Sequence, residues 1–391
     1  MTRPLILTLS FSEKKEGYSM NVYLSYPLFE RLILDREDSD LKLILQKLSS
    51  YIDKESSIFL DIGQEQIDES FKNPYNSISI FVQGYGKRVN PGREIILSII
   101  DNPQNVLLDP SALYVLDIDV KLAACIQEQY GVFCCSSQSI NVDYLTKNHK
   151  RFTSIKKKKG NWTTLFHGLK TFPLNSIVIS DRYLFADDIG KRESNGEWHF
   201  SLGTGYENLL SFLGHVLPGE FKSEFMIFIF YNAKEFSGNT HLNQKELEYA
   251  GRRHFKKIAN SLNKEIKNLR KDGEYPIVVE ALSFDCDSYG WEETHNRRVY
   301  SNYGELFAEH KLNAFSNNIC QFTQNIYYNT LYSEGLHDES SCPAESHDWA
   351  LAVFSDIIRF FKETEKANYF YAQNGNDKSN IAGIKNRLLI Y

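Results

Sequence analysis

The chain has 391 residues, 42% hydrophobic and 24% charged, with 22 glycines and 10 prolines. That composition builds packed cores and excludes disordered, collagen-like and mucin-like classes. A formal net charge of −6 argues against a globally basic nucleic-acid coat but leaves room for a local basic face.

Residues 5–11 (LILTLSF) follow a single arginine, lack a small-residue cleavage site, and read as a first strand, not a signal peptide. Residues 41–52 (LKLILQKLSSYI) carry apolar side chains at helical spacing. Residues 57–62 and 77–83 read as buried strands, and 94–100 as a short helix after Pro91-Gly92. A strand at 113–118, a helix at 120–129 and a strand at 131–136 (GVFCCS) follow. This alternation predicts an α/β layer with parallel pairing. Residues 147–159 (KNHKRFTSIKKKK) are basic and nearly devoid of core residues, which predicts an exposed linker or loop.

The second half continues with a helix at 162–169, stopped before Pro173, and an apolar strand at 176–179 (SIVI). A helix at 206–217 leads to a buried strand at 225–231 (FMIFIFY). The long helix at 247–269 and the strand at 277–282 (IVVEAL) complete a βαβ unit with parallel strands. A helix at 347–362, with Trp349, Val353 and Ile357 on one stripe, and a strand at 385–391 (KNRLLIY) close the chain. At ~150 residues per domain the length suits two domains. The expected fold class is therefore α/β: two α/β domains with mostly parallel or mixed sheets, 1–146 and 161–391, joined by the basic segment 147–160. No stretch approaches the roughly 18 uninterrupted apolar residues of a membrane span. The expectation is a soluble, cytoplasmic protein with no membrane partner.

The six cysteines, Cys125, Cys134, Cys135, Cys286, Cys320 and Cys342, form no CxxC pair, so zinc-ribbon spacing is absent and reduced, mostly buried thiols are expected. Neither GxxxxGK[ST] nor GxGxxG occurs, and HExxH and GxSxG are missing too. No cofactor is implied. His337-Asp338-Glu339 and His347-Asp348 lack a ligand spacing, and no metal is expected.

Three segments are candidate sites. Asp181-Arg182-Tyr183 lies just past the carboxyl end of an apolar strand, where open α/β sheets place ligands. In the extended run from Thr294 to Tyr303, His295, Arg297 and Val299 share one side, and Asn296, Arg298 and Tyr300 the other. A histidine two residues from a permanent cation suits a phosphoryl group, and adjacent arginines beside tyrosines suit a phosphate backbone with stacked bases. The third is the 247–269 helix, where Leu247, Phe255, Ile258, Leu262, Ile266 and Leu269 form the core stripe. Arg252, Arg253, Lys256 and Lys257 give it a basic surface suited to polyanions, which Glu246, Glu248 and Glu265 dilute.

A strand ending in a polar turn, a βαβ unit and a His-x-Arg segment together resemble the phospholipase D-like fold over residues 160–310. The segment is similar to the His-Asp-Arg variant in the C-terminal domain of MIT-domain proteins and uncharacterised bacterial relatives. Here it reads His295-Asn296-Arg297, followed by Tyr300 and Asn302-Tyr303. The resemblance implies a phospholipase D-like C-terminal domain with His295 and Arg297 at its anion site. Active members carry Lys where this chain has Arg297, and use two such motifs where this chain has one, so the resemblance implies binding without catalysis. The leading expectation is a phosphate- or nucleic-acid-binding accessory protein, within a bacterial antiviral defence context. One alternative is a metal-independent phosphodiesterase or nuclease acting as a homodimer through His295. Another is a protein-interaction subunit of a larger assembly, its aromatic residues serving a partner surface.

Overall fold

The computed structural model describes residues 21–35, 37–51, 57–140, 150–154, 157–166, 173–269, 274–283, 297–310, 312–321, 323–330, 351, 354–355, 359, 370–371 and 386–389. Five short strands form the first sheet: β1 (Val22–Leu24), β2 (Ser57–Leu60), β3 (Arg88–Pro91), β4 (Leu113–Leu116) and β5 (Phe133–Ser136). All neighbours are parallel, in the order β3-β2-β1-β4-β5. Parallel neighbours need crossovers. These are α1 (Tyr26–Leu34), α2 (Ser39–Tyr51), α3 (Gln64–Ser70), α4 (Ser77–Tyr85), α5 (Arg93–Asp101) and α6 (Val120–Tyr130).

Because strand side chains alternate, each strand feeds two cores. Val22, Leu24, Ile58, Leu60, Val115 and Cys135 pack with α1–α4, while Tyr23, Tyr114, Leu116 and Cys134 pack with α5 and α6. The adjacent cysteines thus part to opposite faces as buried thiols, and burial pushes Cys134 up to about 12. The strand expected at 77–83 is instead α4. Asn76 accepts from the Ile78 N–H at 2.9 Å, Gly86 ends the helix at φ 64°, and Ile78 and Phe81 share its buried face.

The remaining elements are β6 (Lys150–Ser154), α7 (Trp162–Phe166), β7 (Ser176–Ser180), β8 (Ile189–Arg192), β9 (Trp198–Ser201), α8 (Thr204–Val216), β10 (Phe225–Tyr231), α9 (Gln244–Glu265), β11 (Ile277–Ser283), β12 (Arg298–Ser301), β13 (Gly304–Ala308), β14 (Phe315–Ser316), β15 (Ile319–Cys320), β16 (Gln324–Thr330) and β17 (Phe370–Tyr371). The second sheet has the order β17-β11-β10-β7-β12-β13-β16-β6. Its β7, β10 and β11 are parallel and the other pairings antiparallel. The βαβ unit expected around the long helix is present as β10-α9-β11.

Two expectations are corrected here. The basic segment 147–160 does not act as a free linker in its described part, because Lys150–Ser154 pairs with β16 as the sheet's edge. Lys157 N–H then donates to the Cys320 carbonyl at 2.8 Å, which leaves Lys157, Lys158 and Lys159 exposed on an anchored backbone. Near the C-terminus, residues 386–389 form a turn where a strand was expected, since the Asn386 side chain accepts from the Leu388 N–H at 3.0 Å. The expected strand at 5–11 lies outside the described residues, as do Cys286 and Cys342 and most of the helix at 347–362. Among the described residues no helix is long and apolar enough to cross a membrane.

The turn between β12 and β13 ties the sheets together. Tyr303 is fully buried in the core of the first sheet, where its hydroxyl donates to the Ala112 carbonyl at 2.7 Å and accepts from the Phe133 N–H at 2.8 Å. Asn302 donates to the Pro110 carbonyl at 2.9 Å and accepts from the Asn175 N–H at 3.0 Å. The Asn302-Tyr303 pair singled out in the sequence is therefore a structural plug.

Candidate functional site

The register of β12 against β7 places Arg298 opposite Ser180, so the two candidate segments meet at the residues flanking Asp181. Asp181 is 2% exposed. One of its carboxylate oxygens accepts from the Tyr183 N–H at 2.9 Å, closing the turn after β7, and the other accepts from the Leu312 N–H at 3.3 Å. Arg182 pairs with Glu235 at 3.0 Å and lies 5.3 Å from the centre of the Tyr183 ring. These contacts shape the strand end.

On β12, Arg298 donates to Glu305 at 2.8 Å and stacks 5.0 Å over the Phe307 ring. Burial opposes its charge, but Glu305 and Tyr300 outweigh that and hold the guanidinium more firmly protonated than usual. Tyr300 is buried against Phe354, with ring centres 5.7 Å apart, and burial pushes its phenol far above the ordinary range despite Arg298. Arg297 donates to the Glu309 carbonyl at 3.1 Å. The cations expected to hold phosphate are thus joined to β13 and the loop after it. His295 and Asn296 lie outside the described residues.

The basic residues of α9 sit elsewhere. Phe255, Ile258 and Leu262 pack on the sheet face that carries Ile177, Ile179 and Val299. Arg298 and Tyr300 alternate with Val299 along β12 and therefore face the opposite side. Arg252, Arg253 and Lys257 are exposed and Lys256 is half-buried. Tyr249, Arg253, Lys257 and Lys264 recur at steps of four, four and seven, forming one stripe on the helix surface. The Arg253 guanidinium donates to the Tyr249 hydroxyl at 3.0 Å. The 181–182 turn and the start of β12 are therefore neighbours along the backbone, with their side chains on different partners, while Arg252, Arg253, Lys256 and Lys257 form a separate surface.

Sequence reasoning overlooked a fully buried pair that fixes α9. His254 Nε2 lies 2.8 Å from Asp188 Oδ2, and Nδ1 lies 2.9 Å from the Ala233 carbonyl oxygen. Asp188 Oδ1 accepts from the Gly203 N–H at 2.6 Å, and the adjacent Asp187 accepts from the Thr204 N–H and hydroxyl at the start of α8. The imidazole stacks on Phe200 with centres 4.6 Å apart. Its position between Gly251, Phe255 and Ile258 on the buried stripe was the available signal. Among the described residues no group of three or more His, Cys, Asp or Glu side chains is placed to hold a metal ion. The His337, Asp338, His347 and Asp348 cluster lies outside those residues.

A scan against protein-family models and a search of curated proteins found no match to this chain.

Proposed function

We propose that the chain is an accessory protein that binds phosphate-bearing polymers, nucleic acid foremost, and that the outer surface of α9 makes the contact. One observation carries this reading. Arg252, Arg253 and Lys257 are exposed on α9, Arg253 against the Tyr249 hydroxyl, whereas Arg182, Arg297 and Arg298 are half-buried at Glu235, the Glu309 carbonyl and Glu305. Exposed cations in a row release counterions when they meet a phosphate backbone, and the half-open Tyr249 ring beside Arg253 offers a stacking surface. A phospholipase D-like arrangement of the C-terminal half is supported by β12 lying beside β7, which sets Arg298 opposite Ser180. Engaged by the Glu309 carbonyl and Glu305, Arg297 and Arg298 serve as scaffold.

The test is a salt titration of nucleic-acid binding by the full chain. Arg252→Ala, Arg253→Ala, Lys257→Ala in combination is expected to lower the slope of log K against log salt by roughly 2–3, about 0.9 for each lost phosphate contact on duplex DNA. Arg297→Ala, Arg298→Ala is expected to leave that slope unchanged. Wild-type binding by the triple variant refutes the proposed surface.

A further inference from the structure

Between α8 and α9 lies an open cleft of about 550 Å³. That volume falls in the range of small-molecule sites, roughly 300–1,000 Å³. Its α9 wall carries Lys257, Asn260, Ser261 and Lys264, spaced i, i+3, i+4 and i+7 so that all share one stripe. The two ammonium groups stem from positions about 10 Å apart along the helix. Its α8 side carries Leu202, Tyr206 and Leu210, an apolar floor with one phenol set in it.

Tyr206 is only 8% exposed, and its hydroxyl is buried with no hydrogen-bond partner among the described residues. Buried hydroxyls in folded proteins are nearly always satisfied. An unsatisfied hydroxyl in the wall of a cleft that also carries two lysines marks the place of a partner that the described residues do not supply. Burial first, and the charge of Glu265 second, push this phenol up to about 12, so it keeps its proton at neutral pH and is able to donate.

We infer that the α8–α9 cleft binds one organic phosphate of nucleotide size. Lys257, Lys264 and the Tyr206 O–H hold the phosphate, and Leu202 and Leu210 hold the apolar body. Asn260 and Ser261 add neutral donors between the lysines. Glu265, which also lines the cleft, accepts from ligand hydroxyl or amino groups and disfavours a bare dianion. The inference deepens the polyanion reading and rests on its ligand chemistry, since Lys257 belongs both to the surface stripe and to the cleft. The phosphate can come from a free nucleotide or from the end of a strand.

Calorimetry on the full chain decides it, with adenosine monophosphate, inorganic phosphate, and one oligonucleotide with and without a 5′-phosphate as probes. Saturable binding of the nucleotide is expected, with inorganic phosphate much weaker. Tyr206→Phe, which keeps the ring and removes only the donor, should weaken nucleotide binding about tenfold. Lys121→Ala, on α6 beside the other sheet, should not change it. Preference for the phosphorylated oligonucleotide over the nucleotide assigns the site to a strand end, and equal binding assigns it to free nucleotide. Affinity indifferent to Tyr206→Phe, or inorganic phosphate binding as tightly as the nucleotide, overturns the inference. If nucleic acid binds through α9 while the nucleotide does not bind, the cleft fails and the surface reading stands. The reverse outcome removes the surface reading and keeps the cleft.

Discussion

Replacing Asp188 separates two roles that its carboxylate performs at once. Oδ1 accepts from the Gly203 N–H at 2.6 Å and Oδ2 meets His254 Nε2 at 2.8 Å, with both side chains fully buried. His254 Nδ1 faces a carbonyl oxygen 2.9 Å away, which can only accept, so Nδ1 carries a proton. In Asp188→Ala the Gly203 N–H and His254 Nε2 both lose their partner in a site water does not reach. Each unsatisfied group costs about 1–3 kcal/mol, so the two together cost roughly 2–6 kcal/mol. A loss near 4 kcal/mol is therefore expected, a large share of the roughly 5–15 kcal/mol that holds a typical domain folded.

Asp188→Asn is different. Its amide oxygen still accepts from Gly203, and its NH2 donates to an unprotonated Nε2 while Nδ1 keeps its bond to Ala233. Only about 1 kcal/mol should be lost, the size of one ordinary hydrogen bond. Denaturant midpoints report the difference, and amide exchange in α8 and α9 reports whether these helices loosen first. Equal losses for the two variants, or less than about 1 kcal/mol for the alanine, would refute the hydrogen-bond account.

Two further outcomes follow from buried groups elsewhere. Tyr303→Phe removes the hydroxyl that bridges the Ala112 carbonyl and the Phe133 N–H, and should cost roughly 2–4 kcal/mol while speeding limited proteolysis between the two sheets; unchanged proteolysis would mean the turn does not hold the halves together. Asp61 has its carboxyl raised above the usual range, chiefly by burial, with Asp117 adding to the rise and the Tyr26 N–H opposing it. A raised folded-state value means that the protonated form favours folding. That contribution is complete below the unfolded value, near 4, and disappears as pH rises through the folded one. Asp61→Asn retains the acceptor for Tyr26, so it should stabilise the chain at pH 7.5 and confer nothing at acidic pH. A gain that grows on acidification would contradict this sign.

Local pattern was enough for much of the architecture. Apolar runs at 113–116, 176–180 and 225–231 are strands because β-branched and aromatic side chains buried on both faces fit a covered parallel sheet. Residues 77–83 misled because Ser-Ile-Ser-Ile alternates like a strand, while Asn76 and Gly86, two capping residues, start and stop a helix around it. Boundary chemistry outweighed a short period-two pattern.

Charge and periodicity, read from residues alone, determined which segments carry cations and which helix face is buried. Whether a cation is available to a ligand was decided only in the tertiary structure. Arg182 finds Glu235 across 53 positions and Asp188 finds His254 across 66, so neither pairing leaves a local signature. Arg298 finds Glu305 only seven residues on, but through the hairpin that places β13 beside β12. Partnership depends on where the chain returns, and burial sets how much a partnership is worth. The same arginines that look like an anion site in sequence are thus half-buried against partners, and the cations of α9 are the more exposed ones.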